Sequence, residues 1–92
     1  MPTMTHVTQV DELKINELGC RNWPIWTHPE AVFDYTYDEN EHCLFLEGEV
    51  VVTSQDGQQS VRIVAGDLIT FPKGLSCTWD IKQAVKKHYL FF

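Results

Sequence analysis

From Ala31 to Phe92 the chain is punctuated by turn formers roughly every eight residues, which leaves room for short antiparallel strands and for no helix of ordinary length. The polar run Asp38 to Glu41, the Glu47-Gly48 break, the hairpin dipeptide Asp56-Gly57, the Ala65-Gly66-Asp67 corner and Pro72-Lys73-Gly74 mark these turns. Between them the apolar residues follow the strand period. Phe33, Tyr35 and Tyr37 alternate with Asp34, Thr36 and Asp38, the pattern of a half-buried strand. His42 to Phe45, Glu49 to Thr53 with three consecutive valines, Ser60 to Val64, Leu68 to Phe71, Ser76 to Ile81 and Val85 to Phe92 read as the remaining strands. The fold class is therefore all-β, an antiparallel sandwich or barrel.

Upstream, Thr8 to Leu18 is the only stretch with helical character, with Thr8 as N-cap and Gly19 as stop. Asn22-Trp23-Pro24-Ile25-Trp26 follows as an extended aromatic segment, biased away from helix by its proline. A length of 92 residues is that of a single domain. We expect residues 1–22 to form an arm or short helix and residues 23–92 the barrel. Three Trp, three Tyr and five Phe supply its core.

The formal charge of -6 argues against a nucleic-acid partner. The chain lacks a membrane-length apolar run, and its first ten residues lack the charged start and apolar centre of a signal peptide. Cys20, Cys43 and Cys77 are an odd number without CxxC spacing, which fits free thiols in a reducing compartment. The expectation is a cytoplasmic protein.

Gly66, Pro72 and Gly74, preceded by Glu41 and Gly48, have the order and spacing of the two cupin motifs. Phe33-Asp34-Tyr35-Thr36-Tyr37, Leu46-Glu47-Gly48, Gly66 through Gly74, Cys77-Thr78-Trp79 and Lys87-His88-Tyr89 resemble the short stand-alone branch of the ureidoglycine aminohydrolase-like cupins. The resemblance covers about residues 20 to 92 and implies a small RmlC-like jelly-roll barrel. It also implies where a metal would sit. Family members that do chemistry hold a divalent ion through two histidines and a glutamate of the first motif and a histidine of the second, and those positions here carry Tyr35, Tyr37, Glu41 and Cys77. Only the glutamate is retained, and phenols, protonated at neutral pH, are poor ligands.

Glu41 is the candidate general acid or base, since a carboxylate inside a barrel must be paired or protonated. Cys77 is the candidate nucleophile or soft ligand. Tyr35, Tyr37 and Trp79 are candidate ligand contacts, lining the barrel or stacking on a planar molecule. Cys43, two residues from Glu41, shares its face, and His88 on the last strand is placed in the lumen with it. If a metal is held, be it manganese, zinc or iron, its ligands are Glu41, Cys77 and His88, with Cys43 as a further thiol. Two functions stay open: an enzyme on a small polar metabolite, for which the resemblance implies hydrolysis of a carbon–nitrogen bond, and a metal-free module that binds a small ligand unchanged. Covering an exposed strand edge makes a homodimer an expected assembly under either.

Overall fold

The computed structural model of the chain describes residues 2–92. Strand β1 (Thr5–Val7) is followed by helix α1 (Glu12–Leu18) and a 3-10 turn at Cys20–Asn22. Then come β2 (Ile25–His28), β3 (Ala31–Thr36), β4 (Glu41–Ser54), β5 (Ser60–Val64), β6 (Leu68–Phe71) and β7 (Ser76–Phe91). All pairings are antiparallel.

The long strands β4 and β7 pair along their whole length, and each serves two neighbours on its other side. Strand β6 pairs with Glu41 to Leu44 of β4, and β5 with Glu49 to Thr53. Likewise β3 lies along Ser76 to Ile81 of β7, and β2 along Val85 to His88. Two half-sheets, joined by the bent β4 and β7, thus face one core. The order β1-β6-β4-β7-β2 does not return on itself, so the jelly roll is open where a closed barrel was expected. Two pairs of expected strands, split at Glu47-Gly48 and near Gln83, are each one continuous strand bent by register irregularities between Phe45 and Val50.

The bulge changes which residues of β4 face inward. Glu41, Cys43 and Phe45 are buried before it, and Val50, Val52 and Ser54 after it. On β7 the parity holds throughout: Cys77, Trp79, Ile81, Val85 and Lys87 all point in. Phe45, Ile63, Ile69 and Phe71 complete the inner core. A second, smaller cluster lies on the outer face, where Ile15 and Cys20 cover Leu44 and Leu68.

Helix α1 begins three residues later than the sequence suggested. Its N-cap is Asp11, whose carboxylate accepts from the Lys14 amide at 2.9 Å, because Thr8 and Gln9 are used in the turn that ties the arm down. That tie is Asp67, fully buried, which accepts from the amides of Gln9 (3.0 Å) and Val64 (3.1 Å), from Gln9 Nε2 (3.2 Å) and from His6 Nε2 (3.0 Å). Burial alone would raise its pKa; the Val64 and Gln9 amides and His6 outweigh that and hold it below the ordinary value. Because the folded value is depressed, the stabilisation is present above the unfolded pKa near 4 and lost as pH falls through the folded one. Asp67→Ala is expected to cost about 2–4 kcal/mol in urea unfolding at pH 7, since it strands buried donors. Below about pH 3 the gap to wild type should narrow.

Candidate functional site

A pocket of about 190 Å³ opens into the fold beside β2, β3 and β7. Its walls are aromatic because the period-2 pattern turns Phe33 and Tyr35 of β3 toward it, with Tyr37 just beyond, and Trp79, Tyr89 and Phe91 of β7. Strand β2 adds Trp26, and the start of β4 adds Glu41. The rings brace one another: Phe33 stacks on Trp79 at 6.0 Å, Tyr35 meets Tyr37 edge-on at 4.7 Å, and Tyr37 stacks on Phe71 at 5.0 Å.

Charge enters this apolar setting through Lys87. Its Nζ lies 3.1 Å from Glu41 Oε2 and 3.1 Å from Cys43 Sγ, and both side chains of the ion pair are 5% exposed. The ammonium also sits over the faces of Trp79 (4.8 Å) and Trp26 (4.9 Å). Burial alone would push the lysine toward neutrality; its hydrogen bonds to Cys43 and Glu41 and the charge of the Glu41 carboxylate outweigh that and hold the pKa above the ordinary lysine value. Lys87 is thus a permanent buried cation and not a free amine, which removes it as a Schiff-base nucleophile.

Burial, together with the charge of the nearby Glu41 carboxylate, keeps the Tyr37 phenol protonated well above neutral pH. Both candidate thiols are protonated too. Burial raises Cys43, with Lys87 opposing and Glu41 adding, and burial raises Cys77 to about 11. The Cys77 thiol turns to the Tyr35 carbonyl at 3.6 Å.

Of the residues singled out from the sequence, Glu41, Tyr35, Tyr37 and Trp79 line the pocket, whereas Cys43 and Cys77 are fully buried behind its wall. His88 lies on the opposite face of β7, its Nδ1 2.9 Å from the Trp23 carbonyl. The inward position belongs to its neighbour Lys87, because strand side chains alternate. Lys87 was the residue missed, and counting by twos from Cys77 and Trp79 finds it.

The donor set does not fit a divalent metal. Among the described residues no three His, Cys, Asp or Glu side chains converge as ligands. His88 is on the wrong face, Cys77 points to a backbone carbonyl, and the Lys87 ammonium already sits against the one retained carboxylate, where it repels a second cation.

Strands bent across two facing half-sheets, with the pocket between them and the motif glutamate inside, define a cupin. The chain belongs to the EutQ-like cupin domain family, whose model matches residues 15–89. It is 42% identical to a DUF861 family protein from Thermotoga maritima, with all of both chains covered and a TM-score of 0.89. It also resembles the EutQ protein of Clostridium difficile (20% identity, TM-score 0.66), covering 74% of this chain and 52% of that one. A variant of Bacillus subtilis oxalate decarboxylase shares the fold at 19% identity and TM-score 0.54, over 98% of this chain and 25% of that one. No curated protein matches the sequence.

Proposed function

We propose that this cupin is a metal-independent module that binds a small polar molecule in the aromatic pocket and releases it unchanged. The observation that carries this reading is the buried Lys87–Glu41 pair, which puts a fixed positive charge where the cupin motif glutamate lies and satisfies that carboxylate internally. The pocket presents no activated nucleophile, since Cys43, Cys77 and Tyr37 all keep their protons. Its volume, below the roughly 300–1,000 Å³ of drug-sized sites, suits a small metabolite.

A second reading, an enzyme of the ureidoglycine aminohydrolase-like branch that breaks a carbon–nitrogen bond, is favoured by one juxtaposition: the Glu41 carboxylate and the Tyr37 phenol line the same pocket, as a general base facing a bound substrate requires. A panel of small metabolites, screened by the indole N–H signals of the protein and then analysed by mass spectrometry, separates the two. We expect compounds that perturb the pocket tryptophans to be recovered intact. Formation of a product that Glu41→Gln abolishes would establish the enzyme instead.

No helix is long and apolar enough to cross a membrane among the described residues. A second copy of the chain is a proposed partner: Ile25 and Val32 are exposed on β2 and β3, which among the described residues pair only with β7.

A further inference from the structure

Among the described residues nine side chains line the pocket; seven are aromatic, and the other two are Glu41 and Lys87. Those two are already paired, Nζ to Oε2 at 3.1 Å, so the pocket holds two charges and no net one. Neither sign of ligand charge gains from such a pair. A cation meets the Lys87 ammonium, which occupies the position over the Trp26 and Trp79 faces where aromatic rings would receive it. An anion drawn to Nζ comes up against Glu41 beside it, and carboxylates crowded into one low-dielectric site repel. The mouth is negative too. Burial first, and then the charges of Glu41 and Asp38, raise the pKa of the Tyr35 phenol, with Lys87 opposing in part and Glu39 adding. Hydrogen-bonding capacity nevertheless remains at the pair. Lys87 carries three N–H groups and gives two, to Glu41 and Cys43, while the Glu41 carboxylate has about four lone-pair sites, of which the bond from Lys87 uses one.

Resting on the reading of this pocket as a ligand site, we infer that its ligand is an uncharged molecule of one aromatic ring bearing a hydroxyl, held by the aromatic walls and by the Lys87–Glu41 pair. A hydroxyl both accepts and donates, so it takes a hydrogen bond from Lys87 Nζ and gives one to Glu41 without adding charge to a site that is already neutral. The size follows from the volume. An apolar cavity of about 150 Å³ takes one benzene ring, and the pocket of about 190 Å³ leaves room for a small substituent. Its walls give such a ring faces and edges to pack on.

Four single-ring probes test this on the wild-type protein at pH 7: phenol, which is uncharged there, toluene without a polar group, benzoate as the anion and benzylamine as the cation. Titrations are followed by the assigned indole signals of Trp26 and Trp79. Phenol is expected to bind about fivefold more tightly than toluene, the worth of a hydrogen bond. Benzoate and benzylamine should each bind about tenfold more weakly than toluene, since their charge is buried without a free partner. In Glu41→Leu, Lys87→Met, where apolar groups of similar volume replace the pair, phenol should lose its advantage while toluene binds as before. The ranking on wild-type protein decides the matter if that variant does not fold. Benzoate or benzylamine binding as tightly as toluene, phenol no tighter than toluene, or a phenol advantage that survives in the double variant each overturns the inference and leaves the pocket reading standing. No response to any of the four overturns both.

Discussion

Replacing Lys87 with methionine is expected to remove about 3–5 kcal/mol from the free energy of unfolding, enough to lower the melting temperature of a domain this size by roughly 15–30 °C. Both side chains of the pair are buried, so the substitution leaves a carboxylate in an aromatic pocket with no counter-charge. Methionine nearly matches the lysine stem in volume, so little of the loss comes from a cavity. The control is the double variant Glu41→Gln, Lys87→Met, which removes both charges together. A buried pair is often replaced by neutral groups at little cost, so the double variant should recover to within about 2 kcal/mol of wild type. A double variant as unstable as Lys87→Met would mean that the charge is not the cause. The pH dependence has the opposite sense to that of Asp67: the raised pKa of Lys87 makes its contribution complete below the unfolded value near 10.4 and lost only as pH climbs through the folded one.

That a lysine holds the centre of the site explains what could and could not be read from the chain. The aromatic walls were legible, because Phe33, Tyr35 and Tyr37 alternate with polar residues and strand parity then fixes their face. Glu41 was legible from the cupin motif. Lys87 was not, because lysine is so rarely buried that a histidine beside it attracts the attention, and only the unbroken parity of β7 from Cys77 decides between the two. Cys43, expected on the face of Glu41, and Cys77, a candidate nucleophile or soft ligand, both lie fully buried, but facing inward does not mean reaching the cavity. Tyr37 and Phe71 stack within the same buried cluster as the two thiols, and which of these side chains reaches the cavity depends on packing across strands far apart in sequence.

The strands themselves were legible nearly to the residue where a turn has its own chemistry, as between Val64 and Leu68, and illegible where the chain bends without turning. Gly48 is such a place. Its glycine reads as a strand break, yet β4 continues through it as one bent strand, and the residue serves to bring β4 against β7. Its φ is +95°, and a Cβ built there would lie 2.3 Å from the Ala84 carbonyl oxygen and 2.8 Å from that of Gln83. Both obstacles are backbone, so no side chain can swing aside. Gly48→Ala therefore combines left-handed strain with a forced separation of the two strands at their bend, and a loss of about 3–5 kcal/mol is expected in chemical denaturation. Gly57 isolates the two effects. It has φ +73° but nothing within 4 Å of its absent Cβ, so Gly57→Ala should cost only the conformational strain, about 1–2 kcal/mol. Because Lys86 and Lys87 follow directly after the bend, Gly48→Ala should also disturb the Trp26 and Trp79 indole signals that Gly57→Ala leaves in place. Equal costs for the two substitutions would show that the strands can part at Gly48 without penalty, and that the bulge is not what sets the depth of Lys87 in the pocket.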